Sequence, residues 1–406
     1  MTAEIAVMNK VGIALAADSA VTIAGKKVYN SANKLFTLSK YHPVGILVYG
    51  SAEFNEIPWE VIIKEYRNYL KDKEFDTLEE YCTHFQNFLG SPRWKLTPKN
   101  QTNNIIRLLN EFCSSFFLEY VRQSEKKYIL RFENKVFDST VHSIKELLSP
   151  HKQDIEYDLT FCDIDDNIKK IFESERIEIT HSQIETLVDL FKFALASDYP
   201  IFRLTSGVVI AGYGKDEIYP TLTTFETAGF IGKQLHMIQK NSTSISDENN
   251  ASVTPFAQQE MSCLFMEGLH PDLKKFILAQ VFQLMDNTKQ ELINKLKPAD
   301  KGLAIQTKFQ EITKKFLNNI SLFSRQNFAV PRLNSIANLS KMELAKIAES
   351  LVELQALGKQ VSMEMDSVGG PIDVAVISKH DGFIWIKRKL YFNSELNPCF
   401  LEKYMK

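Results

Sequence analysis

The amino-acid sequence predicts an α+β fold in which two β-sheets lie between layers of helices, a four-layer αββα sandwich. Three observations predict this fold. The first fifty residues have the pattern of short strands, strand character returns in the middle of the chain and at its end, and the two intervals between are helical in pattern. The order is therefore strands, helices, strands, helices, strands, without an internal repeat.

The composition fits a globular protein of one large domain or two ordinary ones. The chain has 406 residues, of which 44% are hydrophobic and 24% charged, and a net charge of −2 argues against a general nucleic-acid binder. Five scattered cysteines without a CxxC pair are typical of free thiols in a reducing cytoplasm. Because neither a signal peptide nor a run of about 18 apolar residues occurs, we predict a cytoplasmic protein without membrane or nucleic-acid partners.

The N-terminal strands are apolar on successive residues. The runs "EIAVM" and "VGIALAA" flank a turn at Asn9-Lys10, and "KLFTL" and "VGILVYG" follow. Continuous apolar runs are expected for strands that are covered on both faces. After Gly50 the period becomes helical in "EIPWEVIIKEYRNYL", where Pro58 is tolerated near the first turn.

From about Thr77 to Ser197 the pattern is mostly helical. One helix is "NNIIRLLNEFCSSFFLEYV", and another is "SQIETLVDLFKFALA", for which Ser182 and Glu185 predict a capping box. The runs "VFDSTVHSIKELL" and "DIEYDLTFCDID" are mixed in pattern. The motif "CDIDDN" lacks the glycine of a calcium loop and is interpreted as a polar helix start.

Strands return in "GVVIAGYG", "EIYPTLTTFETAG" and "FIGKQLHMI", and the polar run "QKNSTSISDENNAS" predicts an exposed loop. Four further helical runs precede the closing strands "GGPIDVAVIS" and "FIWIKRKLYF", which are joined by an Asp381-Gly382 hairpin turn.

These patterns divide the chain into six parts. They are a core of strands with a first helix, a mainly helical insertion, core strands with a helix, a second helical insertion, a core helix with the closing strands, and a C-terminal tail. Their ranges are 1–71, 72–200, 201–270, 271–336, 337–392 and 393–406.

The start of the chain carries a candidate catalytic group. If Met1 is removed, Thr2 presents a hydroxyl and a free α-amine, whose ordinary pKa of about 7.7–8.0 suits a general base. The Thr/N-terminal-amine pair is a recognised way to activate a nucleophile. A lysine near the hydroxyl would favour the developing alkoxide, and a carboxylate would hold that lysine. Asp18 and Lys34 lie at predicted strand ends, with sixteen residues from Thr2 to Asp18 and sixteen from Asp18 to Lys34.

These residues belong to a longer resemblance. The run "TAEIAVMNKVGIALAADSAVT…NKLF…GILVYGSAEF" resembles the β-type, catalytic subunits of the proteasome and its bacterial relatives, which are N-terminal nucleophile hydrolases with an αββα sandwich. "VVIAGYG" and "SKMELAKIAESLVELQALGKQVSMEMDSVGGPIDVAVISKHDGF" are similar to later family segments. The two helical insertions have no counterpart in a standard β subunit.

The resemblance implies roles for the residues that match the family motif. Thr2 would supply the nucleophilic oxygen and, through its amine, the general base. Lys34 would lower the proton affinity around that oxygen, and Asp18 would pair with Lys34. The backbone N–H of Gly50 would donate to the oxyanion of the tetrahedral intermediate.

The resemblance also implies groups that brace the amine. Asp366 and the Gly369-Gly370 turn occupy the matching positions, although the family's serine in that turn is Gly369 in this chain. A second bracing serine would be Ser252.

The same matching implies a substrate pocket beside the nucleophile. Small apolar residues would line it, which favours apolar substrate side chains, whereas Glu56 would favour a basic one. The small residues are Val21, Ala32, Val48 and Ala52.

The function that the resemblance implies is a threonine protease that forms an acyl-enzyme and needs no metal or organic cofactor. The expected partners are a peptide or unfolded-protein substrate, further copies in a homo-oligomeric ring or related assembly, and an ATP-dependent unfoldase.

Two alternatives remain open. One is a non-catalytic or precursor-state assembly module, similar to the α-type subunits of the outer proteasome rings, which carry an N-terminal helix and lack the threonine. The other is an amidase that acts on small amides, since the fold hosts both activities. The threonine at position 2 and the absence of such a helix ahead of the first strand favour catalysis.

Overall fold

The computed structural model describes seven stretches of the chain and contains two compact units. The described residues are 3–23, 27–94, 97–124, 128–197, 205–295, 302–362 and 368–399. The first unit comprises Met1–Leu35, Ile218–Pro220 and Ser244–Lys406, and the second comprises Phe36–Glu217 and Thr221–Thr243. Both units are therefore discontinuous in sequence.

The strands of the described residues alternate with long helical stretches. The strands are β1 (Ala3–Asn9), β2 (Gly12–Ala17), β3 (Val21–Ile23), β4 (Lys27–Tyr29), β5 (Leu35–Thr37), β6 (Val44–Gly50), β7 (Glu53–Phe54), β8 (Ile57–Pro58), β9 (Ser206–Gly212), β10 (Thr221–Ile231), β11 (Gln234–Ser244), β12 (Ala251–Ala257), β13 (Asp373–Ser378) and β14 (Gly382–Lys387). The α-helices are α1 (Trp59–Leu70), α2 (Leu78–Leu89), α3 (Pro98–Ser124), α4 (Asn134–Leu148), α5 (Ile164–Ser174), α6 (His181–Leu195), α7 (Glu260–Glu267), α8 (Pro271–Lys295), α9 (Gly302–Ser324), α10 (Val330–Ile336) and α11 (Lys341–Gln360).

The first unit is built on a five-stranded antiparallel sheet of order β12-β1-β2-β13-β14. Every residue of β1 and β2 is buried, as the continuous apolar runs predict. Helix α11 packs on β1 and β2. Small side chains lie on both surfaces of this contact, among them Ala14 and Ala16 on the sheet and Ala345 and Ala348 on the helix, so the helix can approach closely.

The second unit contains an antiparallel sheet of order β11-β10-β9-β6-β5. Helices α1 and α2 share one hydrophobic core with this sheet, and the aromatic rings of Trp59, Tyr66 and Phe85 are fully buried in it. Helices α3 to α6 form a separate core, in which the rings of Phe112 and Phe191 contact each other in a tilted arrangement with their centroids 5.4 Å apart. The α+β class predicted from the sequence is confirmed by these antiparallel sheets and the helices packed on them.

Some local expectations are corrected. Helix α6 begins two residues earlier than predicted, because Thr180 and Gln183 form its capping box in place of Ser182 and Glu185. The exposed loop predicted over 239–252 is shorter, because β11 extends to Ser244 and β12 begins at Ala251. The mixed run 136–148 is helical as part of α4.

Two local expectations are confirmed. The side chain of Asp163 accepts a hydrogen bond from the backbone N–H of Asp166 and caps α5, so "CDIDDN" is a helix start. The strands β13 and β14 form a hairpin in which Gly382 has a φ of 78° opposite Ser378. A residue with a side chain rarely adopts that conformation, which explains the glycine after Asp381.

Candidate active site

Asp18 lies directly after β2 and is fully buried. Its Oδ1 accepts a hydrogen bond from the backbone N–H of Ala3 at 3.1 Å. Its Oδ2 accepts from the backbone N–H of Gly369 at 3.0 Å and from that of Ala20 at 3.3 Å. One carboxylate therefore connects the start of β1, the end of β2 and the turn before β13, three segments that are distant in sequence.

Lys34, the residue before β5, supplies the cation of this cluster. Its ammonium group forms an ion pair with Asp18 and lies 3.3 Å from Oε1 of Glu4. The side chain of Lys34 is only 5% exposed and both carboxylates are fully buried, so solvent screens these interactions weakly. The cluster consequently holds two carboxylates around a single ammonium group.

Glu4 was not among the residues that the sequence resemblance singled out. It is the one charged residue of strand β1, whose residues 5–8 are all apolar, and it is 1% exposed. A buried carboxylate is costly unless a charged or hydrogen-bonding group accompanies it. The isolated glutamate within a continuous apolar run was therefore the sequence signal for a second anionic group beside Lys34.

Thr2 lies outside the described residues, as does Asp366. The peptide nitrogen of Ala3 is covalently joined to the carbonyl carbon of residue 2, and consecutive Cα atoms across a trans peptide are about 3.8 Å apart. Since that nitrogen donates to Asp18, the residue that follows the candidate nucleophile in the chain is in contact with the cluster.

The Gly369-Gly370 turn contacts the cluster through its backbone. Gly369 donates its N–H to Asp18, and its carbonyl accepts from the backbone N–H of Ser19 at 3.1 Å. The hydroxyl of Ser19 donates to the carbonyl of Pro371. Gly370 has a φ of 77°, and a Cβ atom there would lie 2.8 Å from Cβ of Asn30, so both conformation and space require glycine.

Two of the predicted pocket residues lie in the first unit with the cluster. Val21 begins β3, which directly follows the segment around Asp18, and Ala32 donates its backbone N–H to the carbonyl of Ser19 at 3.1 Å. Both residues are partly buried.

Four further predicted site residues belong to the second unit. Gly50 ends β6 opposite Ser206 with a φ of 78°, and Val48 is buried in the same strand. The carbonyl of Ala52 accepts from the backbone N–H of Trp59 at 3.1 Å. Glu56 is exposed and accepts a hydrogen bond from the side-chain amide of Asn100.

The structure does not bring Ser252 to the cluster. Ser252 lies on β12 and pairs with Met8 of β1, whereas Ala3 of β1 pairs with Ala257 of β12. Five residues of an antiparallel strand correspond to about 17 Å. The hydroxyl of Ser252 lies 3.3 Å from that of Thr254. We therefore correct the assignment of Ser252 as a bracing group, because it lies toward the opposite end of β1.

Other reactive side chains are poorly suited to nucleophilic chemistry. Burial raises the pKa of the Cys82 and Cys113 thiols to about 12, so thiolate is scarce at neutral pH. Burial lowers the pKa of His236 to about 4, and its Nδ1 accepts from the backbone N–H of Ala228 at 3.2 Å.

Among the residues that the structure describes, no cluster of three or more His, Cys, Asp or Glu side chains could hold a metal ion. Within the same stretches, every helix is too short or too polar to cross a bilayer.

Comparisons with known proteins give only distant matches. No family model and no curated protein matches the chain. Two solved structures have some likeness to this chain. One is Anbu (ancestral beta-subunit) from Yersinia bercovieri, with 8% sequence identity and a TM-score of 0.30. The other is the Anbu (Gly-1) mutant from Hyphomicrobium sp. strain MC1, with 8% sequence identity and a TM-score of 0.29. The alignment with the Yersinia structure covers 99% of this chain and 94% of that structure. The alignment with the Hyphomicrobium structure covers 100% of this chain and 95% of that structure.

These comparisons correct the sequence resemblance. Membership of the proteasome β-subunit family is not supported, because no family model or curated sequence matches and the structural likeness is weak at 8% identity. The chemistry of the cluster around Asp18 is therefore the basis for a function.

Proposed function

We propose that this protein is a threonine-type hydrolase of peptide bonds, with Thr2 as the nucleophile when its α-amine is free. One observation carries the proposal. The backbone N–H of Ala3, the ammonium of Lys34 and the N–H of Gly369 all converge on the buried carboxylate of Asp18. In this proposal the ammonium of Lys34 acts on the hydroxyl of the residue that precedes Ala3.

The proposed reaction has two halves. The α-amine of Thr2 takes the hydroxyl proton while Oγ attacks the substrate carbonyl carbon, and the protonated amine then gives that proton to the leaving nitrogen as the C–N bond breaks. In the second half, a water molecule attacks the resulting ester with the amine again as base. The C–O bond to Thr2 breaks, and the acid product leaves with the enzyme restored.

Charged and polar groups of the cluster would lower the energy of this reaction. Lys34 would stabilise the developing alkoxide of Thr2, and Asp18 and Glu4 would fix the ammonium of Lys34. We propose the N–H of Gly50 as the oxyanion donor, and Asp366 with the Gly369-Gly370 turn as the groups that orient the amine. The proposed pocket residues are Val21, Ala32, Val48, Ala52 and Glu56.

The proposed substrates are peptides or unfolded proteins. A homo-oligomeric assembly and an ATP-dependent unfoldase would be consistent with that use and remain part of the proposal. All five cysteines are free thiols, which supports a cytoplasmic location.

The test is the intact mass of the purified protein, with and without an epoxyketone that reacts with N-terminal threonine. The expected result is a species that begins at Thr2 and gains one inhibitor adduct. Thr2→Ala should abolish the adduct, whereas Thr160→Ala, which alters an exposed threonine of the helical region, should retain it. A chain without a free Thr2 amine and without adduct would favour the precursor or assembly module. An adduct with turnover of small amides but not of peptides would favour the amidase.

A further inference from the structure

A groove runs along one side of helix α3 in the second unit. It has a volume of about 540 Å³, which lies in the range of ligand-binding pockets. Among the described residues, its lining includes Asn103, Arg107, Asn110 and Ser114, which are spaced by four, three and four residues. Residues with these spacings lie on one face of a helix, so they form a single row along α3.

The row has the length of a short extended peptide. The lining reaches from Asn103 to Leu118, and the helix rises about 22 Å between these two residues. An extended chain advances about 3.3 Å per residue, so about six or seven residues would span the groove. Leu118 is 60% exposed and offers an apolar contact at the far end.

The side chains of the row suit a polypeptide backbone. Asn103, Asn110 and Ser114 are exposed, and their amide and hydroxyl groups both donate and accept hydrogen bonds. A peptide backbone presents one donor and one acceptor at each residue other than proline. Such side chains can therefore bind an extended segment largely independently of its sequence.

The start of α3 is fixed to the strand pair β7–β8. Asn104 donates its side-chain amide to the carbonyls of Ala228 and Phe230, at 3.0 and 3.2 Å. The side chain of Asn55, in the turn between β7 and β8, accepts from the backbone N–H of Phe230 at 3.0 Å. The end of β10 thus holds both elements in place, and the groove begins next to the segment that follows Gly50.

Three carboxylates lie close enough to Arg107 to act on its charge. Arg107 is partly buried and donates to Oδ1 of Asn104 at 2.8 Å. Burial lowers the pKa of this guanidinium, and the negative charges of Glu111, Glu53 and Glu56 act in the opposite direction. More negative than positive charge therefore lies in this part of the groove, which favours a basic group in the ligand.

The turn Asn55-Glu56 presents one of these carboxylates from a costly backbone conformation. The two residues connect β7 to β8, and their φ angles are 52° and 65°. Glycine is usual at the second position of such a turn, because a side chain disfavours these angles. The carboxylate of Glu56 accepts from the side-chain amide of Asn100, which lies about one turn before Asn103. Costly conformations of this kind cluster at functional sites.

We infer that this groove binds an extended segment of a polypeptide and prefers a segment that carries a lysine or arginine side chain. The inference rests on the proposed function in one respect, namely that the segment belongs to the substrate. Binding itself requires no free Thr2 amine.

The experiment measures the binding of a fluorescein-labelled octapeptide by fluorescence anisotropy. The protein is the full chain with Thr2→Ala, so that the proposed hydrolysis cannot consume the peptide. The peptide has one central lysine among alanine, glycine and serine residues, and a second peptide has glutamate in place of the lysine. We expect the lysine peptide to bind at least about threefold more tightly than the glutamate peptide at low ionic strength.

Two tryptophan variants locate the bound peptide. Ser114→Trp fills the groove, whereas Ser139→Trp adds the same side chain to a position of α4 outside its described lining. Both serines are exposed, so each variant should fold, as circular dichroism would verify. We expect Ser114→Trp to weaken binding at least about tenfold and Ser139→Trp to leave it unchanged.

Other results would overturn the inference. They are the absence of binding by both peptides, equal binding by the two tryptophan variants, and a glutamate peptide that binds as tightly as the lysine peptide. The epoxyketone adduct at Thr2 of the wild type separates this failure from failure of the proposed function. An adduct without binding in the groove would support the hydrolase and exclude the groove, and binding in the groove without an adduct would do the reverse.

Discussion

Asp18 joins three segments of the first unit through one side chain, and this explains why a charged group is accommodated without solvent. Three backbone N–H groups and the ammonium of Lys34 donate to its two oxygens. A buried carboxylate is tolerated when its charge and its lone pairs are both satisfied. The same contacts would hold the backbone directly after the proposed nucleophile in a fixed position.

Replacement of this carboxylate should affect stability and reactivity together. Asp18→Asn keeps the shape of the side chain but leaves Lys34 without its closest anion, and loss of one partner of a buried ion pair costs about 3–5 kcal/mol. We expect a lower free energy of unfolding in urea and loss of the inhibitor adduct at Thr2.

The control for this change is Asp373→Asn. Asp373 is also buried and forms an ion pair with Lys389 at 2.5 Å, but it makes no contact with Lys34 in the structure described. It should lower stability while the adduct persists. Equal loss of adduct in both variants would mean that Asp18 acts only through folding.

Glu4 provides a second test, because it acts on the reacting groups only through charge and position. Glu4→Gln removes one negative charge beside Lys34 while the side-chain volume is kept. A protonated amine near the site then loses an attractive anion, so its pKa should fall. We expect the acidic limb of the pH profile for adduct formation to shift to lower pH by a few tenths of a unit. Glu60→Gln, at a partly exposed i,i+4 pair with Lys64, should not shift it, and an unchanged profile in Glu4→Gln would contradict a role for Glu4.

For individual residues, some contacts could be predicted from the sequence and others could not, for physical reasons. The pairing of Asp18 with Lys34 was expected from the resemblance in sequence, and the ion pair is present in the structure. Ser252 was misplaced because the register of β12 against β1 is set by long-range packing, and sequence spacing alone does not reveal it. Glu4 was overlooked because its partner is thirty residues away in sequence.

The helix ends show how tertiary burial selects between equivalent local signals. The sequence around α6 offers two candidate capping boxes, Thr180 with Gln183 and Ser182 with Glu185, and both satisfy the i, i+3 rule. The first forms. Gln183 is buried and also donates to the side chain of Asn134, a contact that an exposed Glu185 does not replace. Local chemistry therefore predicted the helix, and contact with α4 selected its first residue.

The β10–β11 pair should be sensitive to acid because of His236. This histidine of β11 is buried, and burial lowers its pKa to about 4 from an ordinary value of 6.5. The unfolded chain therefore takes up a proton at a higher pH than the folded chain. Stability that is complete above about pH 6.5 is lost as the pH falls toward 4, by about 2 kcal/mol at about pH 5.

The measurement is the free energy of unfolding of the wild type and His236→Gln at about pH 7.5 and about pH 5. The wild type should lose about 2 kcal/mol more than the variant, which has no imidazole to protonate. His142→Gln is the control, because its imidazole is 74% exposed. An equal loss in the wild type and His236→Gln would show that other groups cause the acid sensitivity.

Across the whole molecule, the periodicity of apolar residues was sufficient for the α+β class but not for the partition into units. Each unit combines segments that are far apart in sequence: Met1–Leu35 belongs with Ser244–Lys406. Strand order and unit boundaries follow from contacts between distant segments, which hydrophobic patterns do not encode. Motif similarity over about half the chain likewise suggested a family that the comparisons do not support.

Helices α8 and α9, which pack side by side, give the prediction that belongs to the whole molecule. Since α8 and α9 bury few of their described side chains, their removal should expose little of the first unit. The contacts of Lys274 and Ser324 with Glu267 show that the beginning of α8 and the end of α9 are close to the same helix end, so a short Gly/Ser linker can replace 272–323. In dilute protein, where self-association is negligible, we expect the free energy of unfolding to change by less than about 1 kcal/mol. Urea unfolding of both chains measures this, and a loss of several kcal/mol would place these two helices within the folding core of the first unit.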